Sequence, residues 1–279
     1  NVTYGAGGGI ACYSNSEPLI LDNLFDNNVA GVAGSTIAQG GGIHCALNSH
    51  AIVMRNHFTH NTAANGGSAM YTSGSNVYFI ENLVDSNGRT PLNFTGYGDA
   101  ILKENFVINN NSSSSTGPAI RCSLTGNDLI ADNEIAYNKN TVAPTGGIYN
   151  GSGLGVVNAA SAIIANNNIH HNVLDRLINT SILSGAGIYA DIAGDSLMII
   201  GNKIYNNAVL KYCLGGGVYI TKGLLINNLI VNNGAYGNSP YGRGGGVYAA
   251  DSVIIINNTI ANRSKLRSRI LWEYSYNTN

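Results

Sequence analysis

The chain has 279 residues, 41 of them Asn and 36 Gly, and only 10% are charged, against about 25% in ordinary globular domains. Asn and Gly suit helix interiors poorly, which excludes long helices and an ordinary α/β enzyme, while an apolar content of 44% excludes disorder. Fourteen basic and 15 acidic side chains leave a net charge of −1, so nucleic acid finds no basic face, and no apolar run approaches the ~18–20 residues of a membrane span.

The chain opens on Asn1-Val2-Thr3 rather than Met, as a processed or trimmed terminus or a fragment would. A glycine block follows and then recurs: Gly7 to Cys12, Gly40 to Cys45, Gly66 to Tyr71, Gly146 to Tyr149, Gly185 to Tyr189, Gly215 to Tyr219 and Gly244 to Tyr248. After each block comes a short apolar run such as Ile52-Val53-Met54 or Val253-Ile254-Ile255-Ile256. The run ends in Asn-x-apolar-x-x-Asn, which starts at Asn23, Asn56, Asn82, Asn105, Asn133, Asn167, Asn202, Asn228 and Asn258. A second Asn stands five residues later in every unit but the last, where Arg263 replaces it. The mean period of roughly 29 residues is that of stacked repeats. Each unit reads as two or three short strands joined by bends, where Asn and Gly accept a left-handed backbone.

Stacking such units at ~4.8 Å pairs equivalent strands in parallel. Asn side chains at equivalent bends then form a ladder that satisfies buried turn backbone. The expected fold is all-β: one parallel β-helix of about nine coils over residues 1–262, with 263–279 as a terminal cap or tail. On these repeats the chain resembles the right-handed parallel β-helix superfamily, the fold of pectate lyases and polygalacturonases. Its Gly-Gly-x-Ile and Phe-x-x-Asn blocks (Phe25 to Asn28, Phe58 to Asn61) also resemble bacterial polymorphic outer-membrane and surface passengers. The Asn-Thr-Asp, Asp-Asp, Gly-His-Gly and Arg-Ile-Lys motifs of polygalacturonases are missing. The pectate-lyase Trp-Ile-Asp-His segment is missing too, and the only Trp, Trp272, lies outside the repeats. No catalytic residue carries over from either family.

In a stacked fold, chemistry is sought down columns of equivalent residues. The position before the first ladder Asn reads Asp22, Arg55, Glu81, Glu104, Asp132, Asn166, Gly201, Asn227, Asn257. Neighbouring coils bring Glu81 and Glu104 to about 5 Å, and two coils bring Glu81 and Asp132 to about 10 Å; these bracket the carboxyl separations of retaining and inverting glycosidases. Glu81, Glu104 and Asp132 are therefore the candidate catalytic groups, with Arg55 and Lys103 beside them. A solvated bend of alternating charge is the plainer reading, and Ca²⁺ is the one cofactor such carboxylates would accept.

A second column, set outward by the glycines, is expected to run Ala11, His44, Met70, Asn93, Arg121, Tyr149, Tyr189, Tyr219, Tyr248. Arg121 and the four tyrosines would make a carbohydrate platform or merely a strand-stabilising stack. The six histidines share no metal-ligand register and read as surface turn residues. Cys12, Cys45 and Cys122 share an inward register and read as buried free thiols, although coil spacing would accept a Cys12–Cys45 disulfide. Consecutive aliphatics such as Leu19-Ile20-Leu21 force some outward, and that face is expected to be covered by a second subunit or partner domain. Two functions follow: a secreted polysaccharide-active protein, foremost a glycoside hydrolase, or a non-catalytic surface adhesin or structural passenger.

Overall fold

The computed structural model describes residues 1–31, 38–112, 117–142, 151–176, 183–194, 196–210, 213–236 and 242–262. Three nine-stranded parallel sheets carry the fold. Sheet I starts with Ile10–Cys12 and ends with Val247–Ala249; sheet II runs from Leu19–Leu21 to Val253–Ile256; sheet III runs from Leu24–Asp26 to Thr259–Ala261. Nine levels make about eight full turns of a solenoid, close to the expected number. Among the described residues there is no helix. The cap or tail over 263–279 and the Arg263 position lie outside them.

Alternation decides which side chains fill the interior. Sheet III turns its central residue inward, giving the column Phe25, Phe58, Val84, Val107, Ile135, Ile169, Ile204, Ile230, Ile260. Phe25 and Phe58 stack face to face at 4.6 Å and 6°. The inward rows of all three sheets form one continuous core. Smaller sheets fill the connection from sheet III back to sheet I, where Leu174, Leu183, Ala186, Val209 and Cys213 make a satellite core.

The corner between sheets II and III is one left-handed residue followed by a ladder Asn. All nine corner residues, from Asp22 to Asn257, have φ between +52° and +68°. The next Asn turns inward, and its amide is fully used. The Asn105 Oδ1 accepts from the Asn82 backbone N–H (2.9 Å) and side-chain amide (3.2 Å), while its own Nδ2 donates to Phe79 O (2.8 Å) and Asn133 Oδ1 (2.9 Å). The same pattern runs from Asn23 to Asn258. The ladder after sheet III follows another left-handed column that includes His60, Tyr137 and His171. It runs from Asn28 to Asn233, and Asn1 adds a first rung by donating to Asn28 Oδ1 at 2.9 Å.

Sheet II shows the expected outward aliphatics. Leu19, Ile52, Tyr78, Ile101, Leu129, Ile163, Met198, Leu224 and Ile254 form one outer row. Lys103 is the one charge in the adjoining row, and Leu19 (63%) and Ile254 (56%) are widely exposed. Cys12 pairs in register with Cys45, and all four cysteines are free and buried. Cys213 lies in the strand Cys213–Leu214.

Candidate functional sites

The corner column places Asp22, Arg55, Glu81, Glu104 and Asp132 on successive coils, as the spacing requires. The Glu81 N–H donates to Lys103 O at 3.0 Å, and the Glu104 N–H to Ala131 O at 3.3 Å, which fixes the stack. All three candidate catalytic carboxylates are exposed. Arg55 makes a bidentate pair with Asp22, at 2.8 and 2.9 Å, and holds that carboxyl below its usual range. Lys103 Nζ lies 3.6 Å from Glu104 Oε1.

A left-handed backbone strains most side chains but suits Asn and Gly. The last four coils obey that preference with Asn166, Gly201, Asn227 and Asn257, and Asp22 and Asp132 come close to it, whereas Arg55, Glu81 and Glu104 do not. Beside the first three coils runs a shallow open groove of about 460 Å³, lined among others by Asp22, Leu24, Arg55, His57, Glu81 and Leu83. His57 is held there by Asp85, with Nε2 at 2.5 Å from Oδ1, so a carboxylate-oriented imidazole faces the groove beside Glu81. Glu104 and Asp132 continue the column beyond the groove.

The other predicted binding residues sit on the outer face of sheet I, away from this corner. Its register reads Ala11, His44, Tyr71, Asn93, Arg121, Gly155, Tyr189, Tyr219, Tyr248. Two expectations need correcting. Met70 points inward and is fully buried, and Tyr71 takes the outer position, because Gly67-Ser68-Ala69 is the degenerate glycine block of that coil. Between Arg121 and Tyr189 the register holds Gly155, preceded by Gly151-Ser152-Gly153, so the column does not use Tyr149, which lies outside the described residues. Tyr189, Tyr219 and Tyr248 do stack, at 4.9 Å and 15° and then 5.5 Å and 8°. Tyr189 is 7% exposed and donates to Asp191 Oδ2 at 3.1 Å. Burial pushes the Tyr219 hydroxyl pKa up. These rings present edges more than faces, as a stack that stabilises its strands would.

The histidines depart furthest from expectation. His60 and His171 do occupy turns, but His44, His57 and His170 are strand residues, and His44 and His170 are buried. His170 Nε2 pairs with Glu134 Oε1, its Nδ1 meets His171 Nδ1 at 2.7 Å, and its ring stacks on Tyr205. Both pairs are diagonal across adjacent strands of sheet III, which a search along equivalent positions passes over: Asp85 is level with Thr59 and Glu134 with Asn168, each two residues from the histidine it meets.

The chain matches the description "Right handed beta helix region" over residues 1–107 and 41–260. It belongs to that family. No curated protein and no solved structure matches the β-helix at a significant level. Its fold supports a carbohydrate-active or a surface protein and names no catalytic residue. Among the described residues no helix is long and apolar enough to cross a membrane, and no cluster of three or more His, Cys, Asp or Glu side chains is arranged to hold a metal ion.

Proposed function

We propose that this β-helix is a secreted or surface-displayed polysaccharide-active protein, and that its glycan lies along the corner between sheets II and III. One observation carries this reading. Five consecutive coils keep charged residues at a left-handed corner where the following coils use Asn or Gly, and at three of them, Arg55, Glu81 and Glu104, the residue type is disfavoured there; strained backbone of that kind is a pointer to function. Glu81 and Glu104, about one coil spacing of ~4.8 Å apart, suit a retaining glycoside hydrolase, with one carboxyl as nucleophile and the other as acid and base. Asp132 is the second-coil partner for an inverting reaction. Arg55 and Lys103 are positioned to hold sugar hydroxyls or acidic groups, and His57 adds an oriented proton carrier in the groove.

The exposure of all three carboxylates favours a second reading, a non-catalytic adhesin or passenger, because nothing at the corner excludes water from a reacting bond. A product-release screen over plant, algal and bacterial polysaccharides tests the choice. Reducing ends released by the wild type, and lost in Glu81→Gln and Glu104→Gln, are expected from the hydrolase. Turnover unchanged in both variants removes the corner site, and no release from any polymer favours the adhesin.

A further inference from the structure

Sheet II presents a face unlike the other two. Each of its nine strands turns two side chains outward, in one row from Leu19 to Ile254 and another from Leu21 to Ile256. Of these eighteen only Lys103 is charged, and the other seventeen are aliphatic or aromatic. No member of the first row is buried, and Leu19, Ile52, Tyr78, Ile163 and Ile254 are between 39% and 63% exposed. The other outer faces are mixed. Sheet I carries His44, Asn93 and Arg121, and sheet III carries His57, Asp85, Glu134 and Lys203.

The dimensions of the strip suit a particular partner. Eight strand spacings of ~4.8 Å make it about 38 Å long, and two outward rows with their side chains make it about 13 Å wide. Two such strips laid together cover about 1,000 Å² in projection, and more as accessible surface, which is the size a specific interface needs. Sheets packed face to face with interdigitating side chains are an ordinary protein core. The partner must bring an equally long, straight and nearly uncharged strip. Among the described residues this chain has one, and a single self-complementary patch pairs isologously, so that one contact closes both copies.

Charge at the rims selects the orientation, because like charges brought together across an interface are costly. A two-fold axis along the solenoid would set each coil against its own copy, with the corner after sheet II opposite the bend before it. Asp22 would then face Glu17, and Glu104 would face Asp99, carboxylate against carboxylate. A two-fold axis along the fifth strand, Asn127–Ala131, sets the first coil against the ninth instead. Asp22, Arg55, Glu81 and Glu104 then face Asn257, Asn227, Gly201 and Asn166, and Asp99 faces Ser161. Asp132 alone meets its own copy, with the Lys103 of each chain one coil to either side. Lys103 sits at the rim, where its ammonium already lies 3.6 Å from Glu104, so its stem can be covered while its charge stays in water.

We propose that a second copy of this chain covers sheet II, as an antiparallel two-fold dimer centred on the strand Asn127–Ala131. The groove beside Arg55 and His57 is lined from the corner and from sheet III, outside the strip. The dimer therefore does not rest on the glycan reading of the corner, and each fails without the other.

Sedimentation equilibrium of the full chain, without polysaccharide, tests it. Wild type at micromolar concentration should show twice the mass of the chain. Ile101 and Ile163, outward on the fourth and sixth strands, face each other across the proposed axis. Ile101→Lys and Ile163→Glu should each give the monomer, with the β-rich circular dichroism kept, because both positions lie outside the core. The double variant should return the dimer, since opposite charges then meet between copies. Within one chain the two positions are two coils apart and make no such pair. Ile163→Thr covers the case in which the charged variants do not fold: it keeps a strand-forming residue and should weaken association, and association equal to wild type would overturn the dimer. A monomeric wild type, a dimer that survives both single charges, or a double variant that stays monomeric also overturns it. A monomer that instead binds phosphatidylcholine vesicles would overturn it too and give the strip to lipid.

Discussion

Glu81 and Glu104 occupy the same corner position one coil apart, both at left-handed backbone (φ +55° and +57°), and the Glu81 N–H reaches the carbonyl of Lys103, the residue before Glu104. The two side chains are therefore held as a pair by the ladder beneath them rather than by contacts with each other. Because both are exposed, Glu81→Gln and Glu104→Gln should each change stability by no more than about 0.5 kcal/mol. Thermal melts of the two variants check this, and a loss of activity with unchanged melting separates chemistry from folding.

The ladder is expected to behave in the opposite way. The Asn105 side chain takes part in four hydrogen bonds among buried groups. Asn105→Ala strands the Asn82 N–H and the Phe79 carbonyl, and should cost about 3 kcal/mol or more. Asn258 lies on the last described rung and is partly exposed, so Asn258→Ala should cost markedly less. Denaturant unfolding of both variants compares them directly.

A core carboxyl should make stability depend on pH. Asp128 projects inward between Ala100 and Ala162, is 3% exposed, and has its pKa pushed up from 3.8 to about 7 by burial. Its Oδ1 accepts from the Ala100 N–H, and its Oδ2 has no partner. With the folded pKa above the unfolded one, the native state holds the proton longer, so stability is greatest below about pH 4 and falls as pH rises towards 7. Asp128→Asn should be stabilising above pH 7, on the order of 4 kcal/mol, and nearly neutral at pH 4. His44 runs the other way: its folded pKa of about 4 removes stability as pH falls from about 6.5. Melting curves of the Asp128 variant and wild type, paired at each pH, isolate the carboxyl.

The thiols give a simple count. Cys12, Cys45, Cys122 and Cys213 are all free and buried, and burial pushes the Cys122 pKa well up. Titration of the denatured, unreduced protein should find four thiols; two would mean that Cys12 and Cys45 had joined.

The inward face of this fold was legible because it repeats. Every ladder Asn from Asn23 to Asn258 and every sheet III core residue from Phe25 to Ile260 falls where the spacing places it. The outer face was less legible, because its register is counted from glycines that drift. Gly67-Ser68-Ala69 hides one block, which shifted Met70 outward by one residue, and Gly146-Gly147-Ile148-Tyr149 imitates another ahead of Gly151-Ser152-Gly153. Asn1 escaped notice because one rung has no repeat around it. The burial of His44 and Asn93 depends on which outer strand positions the connections between sheets shelter, and column counting carries no information about that.

The corner site is tested most directly by the anomeric form of the first product, read by proton NMR within minutes of mixing enzyme and polysaccharide. Glu81 and Glu104 on adjacent coils should give a product that keeps the configuration of the cleaved bond, and either Gln substitution should abolish its release. An inverted product would move the chemistry to a wider pair such as Glu81 and Asp132. Release that is untouched by both substitutions, or none from any polymer tried, would contradict hydrolysis at this corner.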